Sequence, residues 1–73
     1  HDAGRLDKLA RCLDRLPPRQ REAVQLRYFE GLDYRQVAEV LDVSQQSAYN
    51  LIFRALEELR KYLLAGLAAY LFS

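Results

Sequence analysis

An all-α domain of four helices, with a helix-turn-helix in the middle and a long final helix, is what this sequence predicts. Three observations lead there. Apolar residues recur at three- and four-residue intervals in four separate segments, the signature of one buried stripe per helix. Helix punctuation falls between those segments, at Pro17-Pro18, at Gly31 to Asp33 and at Asp42 to Ser44. No alternating strand-like run occurs, and with only three glycines and two prolines the connections must be short. At 73 residues, 51% of them hydrophobic, the chain is expected to form one small domain over residues 1–73.

The first helix is expected over 1–16, with Leu6, Leu9, Ala10, Leu13 and Leu16 on its inner side and Arg5, Lys8, Arg11 and Arg15 off it. Pro17 and Pro18 end it, because a residue preceding proline avoids helical angles. Pro18 is also suited to open the second helix, since a first-turn N–H has no partner to lose. That helix is expected to run to about Phe29, with Ala23, Val24, Leu26 and Phe29 making apolar contacts and Gly31 serving as a left-handed stop. Asp33 and Gln36 have the spacing of a capping box for a short third helix, Tyr34 to Leu41, that buries Val37, Ala38 and Leu41. Asp42 tolerates the left-handed conformation of a tight turn, Val43 plugs it, and Ser44 caps the fourth helix. Ala48, Leu51, Ile52, Ala55, Leu56, Leu59 and Leu63 form the apolar face of that last helix.

Residues 34–62 meet the demands of a helix-turn-helix. A steep crossing needs a small residue at the junction, which Ala38 supplies, and apolar pins on both helices and the turn, which Val37, Leu41, Val43, Ala48 and Leu51 supply. Short polar residues, Ser44 to Ser47, open the second helix of the pair. Its outer face then carries Gln45, Gln46, Tyr49, Asn50, Phe53 and Arg54. In a major groove, amide side chains pair with adenine, arginine with guanine, and aromatic rings touch thymine methyls. A solvated helix face, or a protein-contact patch built on the two aromatics, is the plainer reading of the same residues.

Charge is unevenly spread. The net is +1, yet residues 1–27 hold seven basic and four acidic groups, while residues 28–73 hold four basic and six acidic ones. Attraction to phosphate must therefore be local or shared with a partner. Cys12 stands alone, which excludes an intrachain disulfide, and no Cys/His spacing suits a metal. No carboxylate pair, nucleophile–base set or glycine-rich loop suggests an enzyme, a cofactor or a small-molecule substrate. No secretory signal pattern opens the sequence, and the apolar run Tyr62 to Phe72 is too short to span a bilayer, so a cytoplasmic setting is expected.

The runs Leu16-Pro-Pro-Arg-Gln-Arg-Glu22, Leu26-Arg-Tyr-Phe-Glu-Gly-Leu-Asp-Tyr34, Val37-Ala38 and Phe53-Arg-Ala-Leu56, with Leu59-Arg60, resemble region 4 of bacterial RNA polymerase sigma factors, most nearly the extracytoplasmic-function type. The resemblance covers about residues 13–62. It implies recognition of the −35 promoter element in double-stranded DNA and docking to the beta flap of RNA polymerase; an anti-sigma factor is the further partner that the aromatic pair or the apolar tail would suit. Carried over position by position, it places base reading at Tyr49, Asn50, Phe53 and Arg54. It places phosphate contacts at Arg27, Tyr34, Arg35, Gln46 and Ser47. Family members often have Lys or Arg where Tyr49 and Leu51 stand here, which weakens the phosphate contribution and shifts weight to the polymerase.

Two other assignments share part of the pattern. A response-regulator-type helix-turn-helix has a similar Pro-Arg-x-Arg-Glu opening, and a sigma-like protein-interaction module would suit Tyr49, Leu51 and Phe53. Beyond the resemblance lies an apolar extension, residues 63–73. Gly66 is expected to break the last helix and let this end fold back on the first, the alternative being a partner site.

Overall fold

The computed structural model describes the backbone of residues 2–72, without the side chains of residues 2–6, 8, 9, 66–70 and 72. It contains four helices: α1 (Asp2–Arg15), α2 (Pro18–Val24), which continues through a wider turn at Gln25–Phe29, α3 (Tyr34–Leu41) and α4 (Gln45–Phe72). Among the described residues there is no strand.

Each boundary has a local chemical cause. Pro18 takes the first position of α2, and the Arg21 N–H closes the first turn on the Pro17 carbonyl at 3.0 Å. The end of that helix is not a regular α-turn. The Glu30 N–H reaches the Gln25 carbonyl, five residues back, at 3.1 Å, so Gln25–Phe29 form a π-helical turn. Gly31, at φ +73°, then reverses the chain, and the Leu32 N–H reaches back to the Leu26 carbonyl at 3.0 Å. A left-handed residue here favours glycine, which has no Cβ to clash.

The capping box at α3 is complete. Asp33 Oδ1 accepts from the Gln36 N–H at 2.8 Å, and Gln36 Oε1 accepts from the Asp33 N–H at 3.0 Å. At the other end, Asp42 is left-handed at φ 56°. The Val43 N–H bonds the Ala38 carbonyl at 3.0 Å and the Asp42 N–H bonds Glu39 at 3.3 Å, the two bonds of a Schellman stop. Ser44 then caps α4 through Ser47 N–H at 3.0 Å. These paired bonds confine the turn between α3 and α4 to residues 42–44.

Two adjoining clusters make the core, and α4 is common to both. The first holds Ala23, Val37, Ala38, Leu41, Ala48 and Ile52, edged by Leu26, Leu32, Tyr34, Val43 and Leu51. The second holds Leu16, Val24, Ala55 and Leu59, edged by Cys12, Leu13 and Tyr62. Ala23, Ala48 and Ala55 have no exposed surface, and Ala38 has almost none. Such small residues let the helices approach closely where they cross.

Several expectations are corrected. Phe29 is 62% exposed rather than a core contact, because the π-helical turn displaces the residues after Val24 from the α-helical stripe. Ala10 is exposed, and half-buried Cys12 lies on the inner side of α1 instead. Leu6 and Leu9 lie outside the described side chains. Leu56 is exposed, being one position past buried Ala55 and hence about 100° further round the helix. Leu63 is also exposed; among the described residues, Tyr62 is the last of α4 packed against the clusters. The fold-back at Gly66 does not occur, since α4 continues unbroken to Phe72. One glycine costs about 1 kcal/mol relative to alanine, and Ala65, Leu67, Ala68 and Ala69 around it are strong helix formers.

Candidate nucleic-acid interface

With Ala48, Ile52 and Ala55 turned inward, helical geometry forces residues 46, 49, 50, 53 and 54 outward. Gln46, Tyr49, Asn50, Phe53 and Arg54 are all exposed. The four residues expected to read bases therefore share one face over the first three turns of α4.

The face is internally organised. Gln46 Nε2 donates to Asn50 Oδ1 at 3.1 Å, one turn along the helix. That bond leaves an acceptor on Gln46 and an amide donor on Asn50 for an external partner. The Tyr49 and Phe53 rings lie stacked, 6.3 Å apart at 18°. Tyr34, at the start of α3, meets Tyr49 edge-on at 5.5 Å and 63°. Behind Tyr34 sits Arg27, its guanidinium 5.3 Å from that ring and 5.4 Å from the Tyr28 ring. Arg27 also donates to the Leu32 carbonyl at 3.3 Å, and its Nε is buried without a partner. A continuous row of contacting groups thus runs from the π-helical turn, through α3, to the outer face of α4. Cation–ring contacts of this kind strengthen as they are desolvated.

The remaining predicted residues fall at the margins. Ser47 sits in the first turn of α4, its N–H held by Ser44 and its hydroxyl accepting from the Ser44 hydroxyl at 2.9 Å. Arg35 lies in the first turn of α3, loosely paired with Glu39 at 3.9 Å, both well exposed. An exposed pair of this sort holds neither side chain firmly.

Arg19 was not anticipated by the sequence. Its guanidinium donates to the Leu41 carbonyl at 3.0 Å, tying α2 to the last turn of α3. It lines a shallow hollow with Val43, Ser47, Asn50, Leu51 and Arg54, so two guanidiniums flank the start of α4. No local spacing signals this, because the residues are brought together only by the crossing of α2 and α4. Past Arg54 the charges of the helix balance, Glu57 and Glu58 being followed by Arg60 and Lys61.

Among the described residues, no group of His, Cys, Asp and Glu could hold a metal ion, and no helix is long and apolar enough to cross a membrane.

Comparison with known proteins gives one family. Its model, Sigma-70, region 4, matches residues 6–59, about three quarters of the chain and all of the helix-turn-helix through Leu59. No curated protein and no solved structure matches. With its capped α3–α4 turn, its pinned inner face and that match, the chain belongs to the region 4 family of sigma-70 factors, a helix-turn-helix DNA-binding module of transcription initiation.

Proposed function

We propose that this domain recognises the −35 element of promoter DNA with the outer face of α4 while docked to the beta flap of RNA polymerase, as part of an extracytoplasmic-function-type sigma factor working in the cytoplasm. The observation that carries the reading is the segregation on α4. A fully buried inner face fixes its orientation, and four groups with base-recognition chemistry share the outer one.

The roles follow from the side chains. Arg54 offers two parallel donors to a guanine edge, and the Asn50 amide faces an adenine. Tyr49 and Phe53 present apolar ring surface to thymine methyls. Phosphate contacts fall to Tyr34, Arg35, Gln46 and Ser47, at the N-terminal turns of α3 and α4 where backbone dipoles favour an anion. Arg27, held between two tyrosine rings, we assign to the support of this face rather than to phosphate. Because exposed cations are few, the backbone contribution to affinity is small, so binding depends on polymerase holding the domain in place. An anti-sigma factor that covered Tyr49 and Phe53 would silence the same face.

The test is promoter activation by the full-length protein carrying Asn50→Ala or Arg54→Ala. Each is expected to lower activation by about tenfold or more, matching the 1–3 kcal/mol of a bidentate base contact. Undiminished activation in both variants would refute the base-reading assignment.

A further inference from the structure

The exposed apolar residues of α4 are not scattered. Tyr49, Phe53, Leu56 and Leu63 are all 42–55% exposed, and their spacing is four, three and seven. With Arg60 filling the gap, the pattern is 49, 53, 56, 60, 63, a strict alternation of four and three. The sequence extends it to Leu67 and Tyr70, whose side chains lie outside those described. This is a heptad seam, the repeat that pairs one helix with another. It lies on a different side of α4 from the core stripe of Ala48, Ile52, Ala55 and Leu59. It also runs past Tyr62, the last described α4 residue packed against the clusters, onto exposed Leu63, with exposed Leu64 and Leu71 flanking it one position further round the helix.

We propose that two copies of this chain pair antiparallel along α4, each covering the Tyr49–Phe53 face of the other with its C-terminal half. Three features select this occupant. The seam is self-complementary, aromatic at one end and leucine-rich at the other, so a twofold axis near residue 58 sets Phe53 against the partner's Leu63, and the reverse. An isologous contact of that form closes without leaving a free end. Second, the charges choose the direction. Parallel, in-register pairing would bury Arg60 against the partner's Arg60. Antiparallel pairing sets Arg60 opposite the partner's Leu56 and beside the partner's Glu57. Neither Arg60 nor Glu57 has an ion-pair partner among the described residues of its own chain. Third, the area suffices. The exposed parts of Tyr49, Phe53, Leu56, Leu63 and Leu64 amount to on the order of 500 Å² per copy, hence about 1,000 Å² for the pair, the lower bound for a specific interface.

Pairing and DNA reading then compete for Tyr49 and Phe53. The pairing stands on the seam alone, whereas the competition rests also on the proposed DNA role.

Sedimentation equilibrium of the 73-residue chain over a range of concentrations tests the pairing. A monomer–dimer equilibrium is expected. Leu63→Glu should raise the dissociation constant about 100-fold or more, because the change falls twice in a twofold interface. Its circular dichroism should match the parent, since Leu63 is outside the core. Arg60→Glu should weaken pairing, and Glu57→Arg with Arg60→Glu together should restore it. A monomer at every concentration up to about 1 mM would overturn the proposal. So would a dimer indifferent to Leu63→Glu, or a charge swap that fails to rescue. If the dimer behaves as expected but promoter DNA bearing RNA polymerase and the full-length protein leaves Tyr49 and Phe53 free to pair, the DNA reading fails and the pairing stands.

Discussion

Ile52→Ala is the sharpest probe of how α4 is held. Ile52 is 1% exposed and sits in the cluster that joins α4 to α2 and α3. The substitution removes three carbons, about 2.4 kcal/mol at 0.8 kcal/mol per buried group. The neighbours on the facing helices are already small at Ala23 and Ala38, so they cannot move far to refill the space. A residual cavity on the order of 40 Å³ adds about 1 kcal/mol, for a total near 3 kcal/mol. A 73-residue domain has roughly 4–11 kcal/mol in all, so this is a large share of its stability. The melting temperature should fall by about 12–24 °C. Urea unfolding followed by far-UV circular dichroism is the assay, with an unchanged slope as the check that only stability moved. Leu56→Ala, on the exposed side and compared at a concentration where the chain is monomeric, is the internal control and should lose less than about 1 kcal/mol. Equal losses in the two variants would show that α4 is rotated from the orientation described, and the outer face would have to be reassigned.

Asp33→Ala should cost about 1 kcal/mol by removing the capping box, and Gln36→Ala added to it should cost little more, since both bonds belong to one unit; denaturant melts of the single and double variants check this. Arg27→Gln should weaken promoter binding while leaving its salt dependence unchanged, because the guanidinium supports Tyr34 instead of neutralising phosphate. A fall of about one in the salt slope would instead restore Arg27 as a phosphate contact.

Much of this architecture is legible in the sequence because its determinants are local. Pro17-Pro18, Gly31, the Asp33–Gln36 pair and Ser44 act within a turn of themselves, and each lies where a helix starts or stops. Periodicity also sets which side of α4 faces the core up to Leu59, apart from Leu56, and with it the exposure of Tyr49, Asn50, Phe53 and Arg54. Three things were not legible. The π-helical turn has no compositional mark, since the sequence Gln25–Phe29 suits an ordinary α-turn, which would turn Phe29 inward. The Arg27–Tyr34–Tyr49 row and the Arg19 contact depend on how separate helices cross, which spacing along one helix cannot reveal. Beyond Tyr62, a leucine-rich stripe has the same pattern whether it meets its own chain or another, so inward and outward positions could not be told apart.

The uninterrupted course of α4 has a mechanical consequence. The helix is gripped from Ala48 to Leu59, where Ala48, Ile52, Ala55 and Leu59 are all buried, while beyond Tyr62 its described side chains are exposed. Taken as a rod clamped as far as Leu59, it leaves an arm of about 18 Å to Leu71, at 1.5 Å per residue. A sideways load at Leu71 enters the clamped segment as a torque, and Tyr49, Asn50, Phe53 and Arg54 are carried on that same rigid segment. Whatever takes hold of the far end therefore pulls on the support of the outer face without touching it.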